Sequence, residues 1–144
     1  MKLENEFNTY LADMAIMTMK LHNLHWNVEG SNFTAVHLFT EGEYNKFFER
    51  MDEIAEAFKM FNTTPKSTMK EFMEIATIKE EATRAFSCEE ALEIYLADIT
   101  SLKKQAVELR NLANEEDWFT TVAILEDHIA DYNKQAWFVK ATLG

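Results

Sequence analysis

Turn-forming residues are so scarce in this chain that their absence nearly decides its architecture. In 144 residues there are one proline and three glycines. Glycine supplies the positive φ angles that tight turns need, while proline sets turn geometry and stops helices. A chain with so few of either has few connections, and the segments between them must be long. The abundant residues (Ala, Glu, Leu, Lys and Met) are good helix formers, so those segments are expected to be helical. Hydrophobic residues at 47% and charged residues at 27% mark a folded chain rather than a disordered one. Residues 1–144 are read as a single domain with one sizeable core.

Apolar spacing locates the helices. From about Glu4 to Val28, Phe7, Leu11, Met14, Thr18 and Leu21 recur every three or four residues. Gly30 and Asn32 then interrupt. A second helix is predicted from about Thr34 to Phe61, with Tyr44, Phe47, Met51, Ile54, Phe58 and Phe61 as its stripe. Asn62 to Pro65 stop it, because the residue before proline is pushed out of helical angles. A short helix over Thr68–Ile75 follows, with Thr68 and Glu71 spaced as a capping box. Ser87 and Glu90 repeat that signal and open a third long helix marked by Leu92, Tyr95, Ile99, Leu102, Ala106, Leu109 and Ala113. Asn114 to Asp117 break it. The last helix carries Val122, Leu125, Ile129, Tyr132, Ala136, Val139 and Leu143. No strand is expected. Four long helices with one long middle connection predict an all-α, ferritin-like four-helix bundle with a short extra helix in that connection.

Several function classes are disfavoured. The single cysteine, Cys88, allows no intrachain disulfide and suits a reducing, cytoplasmic location. Its acidic neighbours Glu89 and Glu90 disfavour a reactive thiolate. Neither a signal core near the start nor an apolar run long enough to span a bilayer is present. With 25 acidic and 14 basic residues, the net charge of −11 opposes contact with phosphate backbones or anionic lipid.

Three of the four histidines flank one turn, in LHNLHWNVEGSNFTAVHLF. His25 ends the first helix and His37 begins the second, so an antiparallel pairing around Gly30 brings them together. Glu41 is one turn beyond His37 on the same face. Farther along, MDEIAEAF places Asp52 and Glu56 one turn apart. One ion cannot join both clusters within a chain, since His37 and Asp52 are separated by about 22 Å of helical rise. They are offset by only about 60° around the axis, however, and so share a face. Positions 37 and 56 have the same midpoint as 41 and 52, between Lys46 and Phe47. Two copies of this helix crossing antiparallel there would join each His37/Glu41 end to the partner's Asp52/Glu56 end, giving two identical sites at a two-fold interface.

Imidazoles and carboxylates without a thiolate suit iron or another first-row divalent ion better than structural zinc. A di-iron site inside the bundle needs Glu-x-x-His motifs. Here Met19, His22, Thr34 and Leu125 stand three residues before the four histidines, so that motif is absent.

HWNVEGSNFTAVH, followed by DEIAE fifteen residues after its second histidine, resembles the signature of the Dps mini-ferritins. The likeness runs through the chain, including LHNLHW, STMKEFMEIATI in the middle connection and KQAWFVKA in the last helix. It implies a hollow dodecamer with a ferroxidase site at each two-fold interface. His25, His37 and Glu41 would come from one subunit, and Asp52 and Glu56 from its partner. His25, His37, Asp52 and Glu56 are the expected catalytic ligands, with Glu41 either a further ligand or a carboxylate orienting one. Iron(II) would be oxidised there, with hydrogen peroxide as the preferred oxidant, and stored as ferric mineral. Trp26 would pack against the metal site or serve ordinary packing.

The chain departs from the family pattern in places. It has FNTT after the second helix and Ala57 after the DEIAE glutamate, where the family often has Gly-Gly and Arg. Glu115, Glu116 and Asp117 are candidates for a negative funnel at a pore. His22 is read as structural or surface-exposed, His128 as isolated, and Met14, Met17 and Met19 as packing. Lys2 is the only basic residue of the first ten, and no lysine-rich tail follows the last helix, so direct DNA binding is not expected. The alternatives are a DNA-condensing protein and a helical assembly module with a vestigial metal site.

Overall fold

The computed structural model describes residues 1–144. Four long helices, α1 (Glu4–Asn27), α2 (Phe33–Met60), α4 (Cys88–Glu115) and α5 (Phe119–Leu143), make the bundle, and a short α3 (Met69–Ile75) lies in the middle connection. α1 packs chiefly on α2, and α4 on α5, as two antiparallel hairpins; α3 lies against α1. The connection from α2 to α4 joins the hairpins.

Local chemistry explains the boundaries. Gly30 has φ 134°, a conformation that side chains rarely tolerate, and its carbonyl accepts from Phe33 N–H to begin α2. α2 ends as Asn62 turns left-handed (φ 55°) and Thr63 N–H reaches back to the Phe58 carbonyl, ahead of Pro65. The Ser87–Glu90 capping box is complete, with both reciprocal bonds at 3.0 Å. At α3, Thr68 accepts from Glu71 N–H as expected. The Glu71 carboxylate instead takes the Thr68 hydroxyl and Ser67 N–H, so the return leg closes one residue early. α5 begins at Phe119, earlier than its apolar stripe indicates, after a turn in which Asp117 has φ 59°.

The expectation of no strand is corrected. Val28–Glu29 (β1) and Phe86–Ser87 (β2) form a two-residue parallel pair. It ties the turn between α1 and α2 to the start of α4. Two residues are too short to carry a period, so the pairing left no pattern in the sequence.

The core lies along the bundle axis, with Phe7, Leu11, Met14, Leu21, Phe47, Ile54, Phe58, Tyr95, Leu102 and Leu125 all essentially inaccessible. Met14 and Met17 are packing residues, whereas Met19 faces outward. Asp13, fully buried, accepts from Thr77 N–H, Thr77 Oγ1 and Ile78 N–H at 2.7, 2.7 and 3.0 Å, fastening the middle connection to α1. Between α2, α4 and α5 lies a buried polar group. Glu43 accepts from the Tyr95 hydroxyl and pairs with Lys46, while Arg50 pairs with Asp131. No helix is long and apolar enough to cross a membrane.

Candidate metal centre

The Gly30 turn folds the end of α1 back on the start of α2, and the two histidines stack. Their ring centroids are 3.7 Å apart and their planes 15° from parallel. His25 Nδ1 lies 2.7 Å from the His37 carbonyl, and His37 Nδ1 lies 2.9 Å from the His25 carbonyl. A carbonyl only accepts, so each Nδ1 donates and carries the proton. Each Nε2 is left with a lone pair. This reciprocal lock fixes tautomer and ring orientation together, as metal-binding imidazoles require.

Two residues that the sequence reading did not single out support the pair. The Thr40 hydroxyl is 3.2 Å from His25 Nδ1 and donates in turn to the Val36 and His37 carbonyls. Tyr44 sets its ring edge-on to His25 at 5.3 Å and stacks on His22 at 3.8 Å. Both were within reach of helical spacing, lying three and seven residues beyond His37. Phe33 stacks on the other side of His37.

The carboxylates lie along the outer face of α2. Glu41, Asp52 and Glu56 are all exposed. The charge of Asp52, with a hydrogen bond between the two side chains, holds the Glu56 carboxyl above its ordinary value. Within one chain, no group of three or more His, Cys, Asp or Glu side chains converges on a point that could hold a metal ion. The histidine pair and the Asp52/Glu56 pair are thus two separate partial donor sets. Between them on the same face Phe48 is 59% exposed, just past the midpoint at Lys46 and Phe47, and Leu38 is 58% exposed nearby. At about 100° per residue, His37, Glu41 and Asp52 all fall within about 40° of Phe48 around the helix.

Other candidates resolve differently. His22 donates from Nδ1 to the Thr18 carbonyl at 2.6 Å and belongs to an aromatic stack with Tyr44 and Trp26. Trp26 itself is 61% exposed, with its ring 5.3 Å from that of His22 and tilted to it by 58°. Cys88 donates weakly to the Glu29 carbonyl. Glu115 and Asp117 are exposed at the turn between α4 and α5, but Glu116 there is paired with Lys2 at 2.8 Å. The reading of His128 as isolated is corrected. It is buried between the Tyr10 hydroxyl at 3.0 Å and Glu53 at 3.2 Å. Those partners are 118 and 75 residues away in sequence, beyond any local pattern.

Comparison with known proteins gives one consistent result. The ferritin-like domain family model matches residues 4–144. The "DNA protection during starvation protein" of Helicobacter pylori is 34% identical over 133 residues, 92% of each chain. A Dps protein from Bacillus brevis superposes with a TM-score of 0.92 at 31% identity, covering 96% of this chain and 93% of its own. The Dps protein of Vibrio cholerae O1, described as a member of the ferritin-like diiron-carboxylate superfamily, gives 0.94 at 26% identity, covering 99% and 89%. With its bundle, middle-connection helix and paired histidines at the α1–α2 turn, the chain belongs to the ferritin-like family, among the Dps proteins.

Proposed function

We propose that the protein is a ferroxidase and iron store. In this reading twelve chains close a hollow cage, and α2 of each crosses α2 of a neighbour about a two-fold axis. His25 and His37, with Glu41, from one chain meet Asp52 and Glu56 from the other and bind iron(II) as substrate. The observation that carries it is the reciprocal Nδ1 lock of His25 and His37. It prepares two nitrogen donors that the side chains of one chain do not complete into a set of three or more. The carboxylate-rich remainder of the set favours the harder ferric state once an electron is lost. Two ferrous ions supply the two electrons that reduce hydrogen peroxide to water, and the ferric product hydrolyses to mineral, releasing protons. DNA is protected indirectly, because iron and peroxide are consumed together.

Exposed Phe48 and Leu38 support the crossing. Large apolar groups on a face that otherwise carries acids are favourable only when covered.

The test uses complementation. His25→Ala and Asp52→Ala homo-oligomers should each oxidise iron(II) with hydrogen peroxide at least about tenfold more slowly than wild type, a loss of about 1.4 kcal/mol or more of transition-state stabilisation. Co-assembled particles of the two variants contain some interfaces in which both donor halves are intact, and should regain activity. If mixed particles form and recover nothing, the shared site is wrong.

A further inference from the structure

Deep in the bundle, away from the α2 outer face, lies a polar chain that the metal chemistry does not use. Tyr10 and Tyr132 are 0% and 1% exposed, with their hydroxyl oxygens 2.7 Å apart. Tyr10 Oη is 3.0 Å from His128 Nδ1, and His128 Nε2 is 3.2 Å from a Glu53 carboxylate oxygen. The direction of this chain follows from its end. With Glu53 ionised its carboxylate only accepts, so Nε2 holds the His128 proton and Nδ1 offers a lone pair. Burial, reinforced by Arg50, lowers the His128 pKa to about 4, so the ring rests neutral at neutral pH. Tyr10 therefore donates to Nδ1, and its oxygen is free to accept from Tyr132.

We propose that Tyr10 is a redox-active side chain that quenches stray one-electron oxidants, with His128 as the base that takes its proton. A phenol that has lost an electron is a strong acid, so even a weakly basic imidazole accepts its proton. The step balances as follows. Tyr10 gives one electron to a hydroxyl radical, reducing it to hydroxide, and its O–H proton moves to His128 Nδ1. The imidazolium is held through Nε2 by the Glu53 carboxylate, and the Tyr132 hydroxyl stabilises the phenoxyl oxygen. A ferrous ion then returns one electron to the phenoxyl, becoming ferric, and the His128 proton goes back to the oxygen. Arg50 lies 4.9 Å over the Tyr132 ring, and its positive charge makes oxidation of that ring harder, which leaves Tyr10 as the site of the radical.

The arrangement also faces the place where such oxidants arise. Two hydrogen bonds and one peptide link separate Tyr10 from Asp52, by way of His128 and Glu53. That siting rests on the function proposed above; the redox chemistry of Tyr10 does not.

The experiment has two arms on the assembled protein, both read by freeze-quench electron paramagnetic resonance. In the first, photogenerated ruthenium(III) tris-bipyridine oxidises metal-free protein; in the second, iron(II) and hydrogen peroxide are mixed with it. A tyrosyl signal is expected in both arms for wild type, with hyperfine coupling to a solvent-exchangeable proton. It should disappear in the Tyr10→Phe/Tyr132→Phe double variant and persist in Tyr44→Phe. His128→Gln keeps a hydrogen-bond acceptor but no proton acceptor. It should slow radical formation about a hundredfold, the low end of what a general base contributes. Helix content and particle size are measured on every variant. A signal in the first arm that survives the double variant, or is indifferent to His128→Gln, overturns the proposal. A relay intact in the first arm with no iron oxidation in the second overturns the ferroxidase reading alone.

Discussion

His128 meets solvent in neither direction, since Nδ1 faces Tyr10 and Nε2 faces Glu53. Its pKa of about 4, against 6.5 for a free imidazole, makes it a sensor of acid unfolding. The folded chain binds fewer protons at this ring than the unfolded chain between those two values. The stabilisation is complete above pH 6.5 and is lost as pH falls through 4, with a full value of about 3 kcal/mol. Glu53, whose carboxyl is raised by burial and by the charge of Asp127, works in the opposite sense. In urea titrations across this range, His128→Gln should therefore flatten the acid limb relative to wild type. Equal slopes for the two proteins would show that His128 does not set it. At the proposed metal centre the corresponding prediction concerns Thr40. Thr40→Val removes one of the two acceptors near His25 Nδ1 but leaves the His37 carbonyl in place. It should weaken iron(II) binding by about tenfold, the low end of the range seen for residues that orient ligands, whereas His25→Ala should abolish it. Anaerobic titration distinguishes the two.

Helices α1, α2, α4 and α5 were legible because each repeats its apolar residues over several turns, and the pairing of His25 with His37 followed from the one glycine turn between them. What could not be read were the partners. Glu43 and Arg50 sit within the α2 stripe as charges, and nothing nearby announces that Tyr95 and Asp131 will meet them. Likewise Asp13 looks like a flaw in the apolar pattern of α1 until the middle connection is seen to hang on it. That connection has little regular structure besides α3, so its position depends on a few such anchors. Asp13→Ala would leave the N–H of buried Ile78 without its acceptor and release the N–H and hydroxyl of exposed Thr77 from the anchor. A loss of about 2–4 kcal/mol in denaturant unfolding is expected, with Asp13→Asn intermediate because its one carbonyl oxygen still accepts. Hydrogen exchange should localise the loosening to residues near Thr77 and Ile78. Exchange that stays slow there in Asp13→Ala would mean that packing of Phe72 and Ile78, not the carboxylate, holds the segment.

Across the whole molecule, charge and exposed apolar surface pull in different directions. The −11 of each chain opposes close assembly, yet Phe48 stays 59% exposed in the isolated protomer at the middle of the acid-bearing face. Bound ferrous ions would neutralise part of the charge at an α2–α2 crossing, and burial of the two Phe48 rings would favour it further. Phe48→Glu exchanges that gain for two added charges facing each other across the axis, so it should shift the particle toward smaller species in light scattering while leaving helix content unchanged. The same surplus of acid bears on nucleic acid. Contact with DNA gains affinity by releasing counterions from phosphates, which requires basic groups in excess on the contacting surface. A chain with a net charge of −11 presents the reverse, in any assembly of its copies, and the repulsion grows as salt falls because screening weakens. Lowering salt strengthens the binding of a DNA-condensing protein; here it should not. No shift of duplex DNA is expected in gels down to low millimolar salt, even though the same preparation limits peroxide-and-iron nicking of that DNA. Retarded DNA that sharpens as salt is lowered would reverse this assignment, because it would place a basic surface on the assembled particle that the protomer's net charge conceals.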